Sequence, residues 1–180
     1  MEKKILLKSI VRTLIIIQIV FIVGSLMGVV LEMIYPSEYT IQILKEEEIF
    51  QNNINILFKV NTVGIASVGI WCIFFIFMLG KTVGESVFLI YENYGWIGIC
   101  KGFIPHAVLE IISCFLGAML PLFVWQIIIR GFFRKSSVNK RYLVISSIGI
   151  CVFGLVMMYI LCRVAANLEF NVSEIYWKTK

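Results

Sequence analysis

The sequence predicts an all-α fold: a polytopic transmembrane helical bundle of about five spans, one of them irregular or broken, in a single domain over residues 1–180. Three observations predict it. The chain is 60% hydrophobic and only 15% charged, with a mean hydropathy of +0.94. A soluble domain is about 45–50% apolar and about 25% charged, so lipid has to cover the surplus. The apolar residues come in long runs, and a span needs about 20 of them, which leaves no room for a soluble catalytic domain beside the spans. Finally, the lysines and arginines sit at the ends of these runs, where they set orientation.

The first span is expected over residues 13–35. Lys3, Lys4, Lys8 and Arg12 precede the run Leu14–Leu31, which ends in Leu31-Glu32-Met33-Ile34-Tyr35-Pro36. A cleaved signal has an apolar core of about 7–15 residues and small residues at the cut. This run is longer and has no such site, so it reads as a retained span with a cytoplasmic N-terminus. Ser37 to Gln51 carries Glu38, Glu46, Glu47 and Glu48 against Lys45 alone, and reads as an outer loop followed by an amphipathic helix. The second span is expected over 60–79, between Lys59 and Lys81.

The last clear span, 143–162, follows Arg130, Arg134, Lys135, Lys140 and Arg141, a basic loop without an acid. Such a loop belongs in the cytoplasm. With Lys81 also placed inside, the chain must cross an even number of times between Lys81 and Arg130. One strong run is present, 102–129. The segment 82–100 is weak, with Glu85, Glu92, Asn93, Gly95 and Gly98. Parity favours a crossing there, broken near Glu92–Gly95 and screened by its neighbours, because irregular backbone at membrane depth needs protein or water around it. Five crossings put the C-terminus outside.

Polar residues inside the apolar runs are the candidates for function. In Gly102-Phe-Ile-Pro105-His106-Ala-Val-Leu-Glu110, Pro105 suits the first turn of a helix. His106 and Glu110 then share a face at i and i+4. An acid at mid-membrane costs about 2.5–3.5 kcal/mol on insertion scales, so such groups face the interior and find partners. The pair reads as a buried hydrogen-bonded structural pair, with Asn53, Asn61 or Lys101 as further partners, or as a polar site for a partner segment, proton or small ligand. One histidine does not supply a metal or hydrolase set, so no metal, cofactor or catalytic residue is expected, and the chain does not read as an enzyme.

Asn52, Asn53 and Asn55 read as helix-capping or cross-helix donors. Lys81 and Glu85 read as an i, i+4 ion pair at the inner interface. The pairs Gly24/Gly28, Gly80/Gly84 and Gly98/Gly102 have the G-x-x-x-G spacing that lets membrane helices approach closely, within one chain or in a homo-oligomer. The five cysteines, Cys72, Cys100, Cys114, Cys151 and Cys162, have no metal-ligand spacing and read as packing residues.

Gly102, Pro105, His106 and Glu110, followed by Gly117 and Ala118, resemble the stage II sporulation protein M family of integral membrane proteins, including its relatives encoded with circular bacteriocins. Asn52-Asn53 and the glycines Gly80 and Gly84 also match, so the resemblance covers about residues 49–122. Ala107 stands where the family has glycine, and Leu79-Gly80 where it has Asn-Gly. The resemblance implies a multi-pass protein of the bacterial cytoplasmic membrane that anchors or scaffolds peptidoglycan-remodelling partners. Its alternative is a component of bacteriocin or peptide secretion or producer immunity, with a peptide substrate and a transport ATPase as partners. From the residues themselves, Glu85, His106 and Glu110 raise a further alternative, a proton- or ion-coupled carrier. The lipid bilayer is a partner in every case. Nucleic acid is not, because the net charge of +5 resides at span ends.

Overall fold

The computed structural model describes residues 2–36, 45–133 and 140–176, and side chains over 6–36, 45–129 and 140–172. Within these the fold is helical and contains no strand. The helices are α1 (Glu2–Ile34), α2 (Glu46–Ala66), α3 (Ile70–Ile97), α4 (Ile104–Phe133) and α5 (Lys140–Tyr176), and a π-helical turn, Gly98–Phe103, joins α3 to α4. Three stretches are long and apolar enough to cross a membrane: Leu6–Ile34, Ile70–Ile129, which holds α3, the π turn and α4, and Lys140–Val172. Their outward faces are apolar too. Leu26 on α1 is 64% exposed and Phe153 on α5 is 68% exposed, as expected of surfaces that meet lipid tails rather than water.

Pairwise contacts fix the direction of each helix. Gly24 faces Phe77 and Lys81, and Gly84 faces Ser25, so α1 and α3 run parallel. α4 opposes α1: Gln126 Nε2 donates to Thr13 Oγ1 at 2.8 Å, and Phe115 meets Phe21 edge-on at 5.2 Å further along. α5 opposes α4, with Leu143 packed near Phe123 and Ile127 at one end and Cys162 near Ser113 Oγ at 3.4 Å towards the other. α2 runs with α4, from the Asn53–Glu110 contact to the Trp125 Nε1 bond with the Ile65 carbonyl at 2.8 Å. Thus α1, α3 and α5 point one way, and α2 and α4 the other.

Two boundaries differ from the sequence reading. The expected second span, 60–79, is interrupted at Ser67–Gly69, where α2 ends and α3 begins. Val68 (φ 57°) and Gly69 (φ 86°) are left-handed, and Gly69 N–H donates to the Gly64 carbonyl at 2.8 Å, the six-to-one bond that closes a Schellman-type end. Glycine is free of the penalty that a left-handed backbone imposes on other residues. The turn lies within a continuous apolar run, so hydropathy averages across it. Conversely, no helix ends at Lys81: α3 continues through it to Ile97. The expected irregularity at Glu92–Gly95 is present as one non-helical residue, Gly95 (φ 62°, ψ −164°).

α2 also begins earlier than the second span was drawn, so Asn52, Asn53 and Asn55 lie inside the helix rather than before it. Of the expected outer loop and amphipathic helix, residues 37–44 lie outside the described residues, as do 134–139 of the basic loop. α5 continues past residue 162 to Tyr176.

The core forms three layers along the bundle. Leu6, Phe123, Ile127 and Leu143 close one end. Ile17, Val60, Cys72, Ile76 and Ala118 fill the middle. Ile49, Phe50, Leu57, Met158, Cys162 and Ala166 pack at the other end, where α2 starts and α5 finishes.

Candidate intramembrane polar site

Asn53, Glu110, Ser113 and Glu169 collect in the half of the bundle away from the N-terminus. Asn53 on α2 donates through Nδ2 to Glu110 Oε1 on α4 at 2.6 Å. Glu110 also shares a side-chain hydrogen bond with Glu169 of α5. The two carboxyl groups thus stand side by side between α4 and α5. One turn further along α4, Ser113 Oγ donates to the Glu110 carbonyl at 2.8 Å. Three helices therefore meet at one carboxylate.

His106 lies one turn from Glu110, as the spacing requires, but the expected bond between them is not made. Glu110 is engaged by Asn53 and Glu169 instead. The His106 ring stands edge-on to Phe103, centroids 5.8 Å apart, and its buried Nδ1 has no hydrogen-bond partner among the described residues. Pro105 is the second residue of α4, within its first turn. Asn61, the other expected partner, donates to its own helix at Leu57 O, 2.9 Å away, and Lys101 is exposed on the π turn.

Lys81 and Glu85 form the expected ion pair, at the opposite end from the one expected. Gly28 packs on Lys81, and Leu31, Glu32 and Tyr35 share a cavity wall with Lys81 and Glu85. The pair therefore lies level with the end of α1, away from the basic N-terminus. The inner placement follows from a span that ends at Lys81, whereas α3 starts at the Ser67–Gly69 turn and carries Lys81 away from it towards the end of α1.

The glycine pairs divide. Gly24/Gly28 and Gly80/Gly84 face one another across α1 and α3. A Cβ on any of the four would overlap a carbonyl oxygen, of Phe77, Lys81, Phe21 or Ser25 respectively. Each glycine thus turns a Cα–H towards a carbonyl of the facing helix, a weak bond that recurs at close helix contacts. Gly98 instead meets Tyr94 and Ile90 of its own segment, and Gly102 is buried in the π turn.

Glu169 and Arg163 make site contacts that the sequence reading misses, because they lie beyond the expected last span, 143–162. Arg163 reaches Glu47 at 2.8 Å and Glu46 at 3.5 Å, and Asn167 Nδ2 donates to Glu46 at 3.3 Å. The signal was available: Arg163 and Asn167 are i and i+4 on a helix, and Glu46 and Glu47 needed cationic or amide partners. Glu47 sits at the exposed start of α2, and the Gln51 amide, together with Arg163, holds its carboxyl below the ordinary range.

Among the described residues no three His, Cys, Asp or Glu side chains stand close enough to hold a metal ion. The described cysteines are free; Cys72 and Cys162 are buried, and Cys100 is exposed. Comparison with family models, with curated proteins and with solved structures finds no match to this chain.

Proposed function

We propose that this chain is an integral membrane scaffold of the stage II sporulation protein M type, crossing the bacterial cytoplasmic membrane five times and holding peptidoglycan-remodelling partners at the envelope. One observation carries the reading. The separated pieces of the motif come into direct contact: Asn53, from the Asn-Asn pair, bonds Glu110 from the Pro-His-x-x-x-Glu segment 57 residues away. Gly80 and Gly84, the third piece, form one side of the α1–α3 seam. Residues that resemble a family's pattern and also build one assembly support that family more strongly than the pattern alone.

Pull-down of the tagged chain in mild detergent is expected to recover cell-wall hydrolases. Recovery of none, with normal engulfment in a deletion strain, overturns the scaffold role. Recovery of a transport ATPase, with loss of peptide release or of producer resistance on deletion, replaces it with the secretion or immunity role.

The alternating helix directions support five crossings, with the N-terminus inside and the π turn outside. A variant retaining Cys100 as its only cysteine is expected to react with a membrane-impermeant maleimide added to intact cells. Labelling only after the cells are opened reverses the orientation.

A further inference from the structure

Two cavities follow one stripe of α3. The outer one, about 510 Å³, lies between α1 and α3 with Glu32, Tyr35, Lys81 and Glu85 in its wall. The inner one, about 290 Å³, lies between α2 and α3 with α4 behind it, and exposes Asn53, Glu110 and Ser113 among apolar neighbours. Thr82 lines both. Along α3, Phe75, Met78 and Thr82 face the inner cavity and Thr82, Glu85 and Leu89 the outer, at the three-to-four spacing of a single helical face.

We propose that the inner cavity binds a small organic cation with an apolar body, its charged head at Glu110 and its body against Phe75 and Met78, and that the outer cavity is the way in. Charge selects the head group. Glu110 stands in the wall of the inner cavity, and the outer cavity adds Glu32 and Glu85 against Lys81, so acids outnumber bases along the whole route. The Phe75 ring adds the attraction of an aromatic face for a cation.

The walls select the body. Ile56, Leu57, Phe75, Met78 and Leu79 surround a few polar groups, the usual make-up of a small-molecule site, and the volume is at the small end of the roughly 300–1,000 Å³ range of such sites. A bare metal ion is poorly served, since no three ligating side chains converge among the described residues. Filling this cavity needs no protein partner.

The test uses the full-length protein purified in detergent and two compounds of one shape: benzyltrimethylammonium and its neutral isostere neopentylbenzene. The cation is expected to raise the thermal unfolding midpoint in a saturable manner, and the isostere to bind at least tenfold more weakly. Glu110→Gln is expected to lower affinity for the cation at least tenfold, and Met78→Trp, which fills the inner cavity, to abolish binding. Equal shifts with both compounds, unchanged affinity in Glu110→Gln, or no shift at millimolar cation overturns the proposal. If Glu110→Gln does not yield folded protein, the comparison of the two compounds and the Met78→Trp variant decide.

Discussion

Replacing Gly28 or Gly84 by leucine is expected to abolish the folded monomer, with a cost of more than about 3 kcal/mol, the upper end for overpacking a core. Most overpacked sites relax by moving a flexible side chain. Here the obstruction is backbone. A Cβ at Gly28 falls on the Lys81 carbonyl, and one at Gly84 falls on the Ser25 carbonyl. Neither oxygen can move without breaking a helix, so α1 and α3 must separate. In lipid nothing hydrophobic then drives them back together, because helix association there rests on close packing itself. Even alanine should be damaging at these positions. Gly149→Ala is the control, since a Cβ there meets nothing within 4 Å. Size-exclusion of a fluorescent fusion in detergent measures the outcome. A monodisperse, wild-type-like peak for Gly84→Leu would mean that the two helices do not pack through their glycines.

The seam also shows how far the fold could be read from residues. Gly24/Gly28 and Gly80/Gly84 were recognisable as close-contact spacings, yet spacing does not say which pairs face each other. That needs the direction of each helix. Direction follows from counting crossings, and the count depended on the turn at Ser67–Gly69. Its three residues sit between Ala66 and Ile70 inside an apolar run, where a window of about 20 residues has no means of registering them. The cost of missing the turn fell on Lys81 and Glu85, which were expected at the wrong end.

The polar site was legible in its members but not in its pairing. Asn53 and Glu110 were both singled out, on different grounds, while His106 drew attention as the nearest acceptor or donor on the same helix. Local spacing favours i, i+4 partners, and tertiary packing overrode it: α2 and α5 brought Asn53 and Glu169 to the carboxylate first. Glu169 lay beyond the drawn end of the last span, in the polar stretch where α5 leaves its apolar run. Hydropathy stops at such a point although the helix does not.

The pairing yields a second large effect, and its sign depends on which atoms are removed. Asn53→Leu keeps the side-chain shape but withdraws the donor from Glu110 Oε1, and leaving a buried polar group without its bond costs about 1–3 kcal/mol. Glu110→Leu leaves the Asn53 amide unpaired in the same way. The double replacement removes both polar groups together, so it should be less destabilising than the two single losses added. The expected coupling is about 1 kcal/mol, between the mean of about 0.6 and the maximum of about 1.7 kcal/mol for hydrogen bonds between membrane helices. Unfolding midpoints of the four proteins in one detergent measure it, and strict additivity would mean that the 2.6 Å contact contributes nothing to stability. Glu110→Gln belongs in the same series. Its amide can still accept from Asn53 and donate to Glu169, so the bundle should hold, while the ionisable group in the cavity wall is removed. A protein that keeps its stability but loses its preference for a cation would separate the two roles of this carboxylate: one bond to hold α2 against α4, and one charge facing the cavity between α2 and α3.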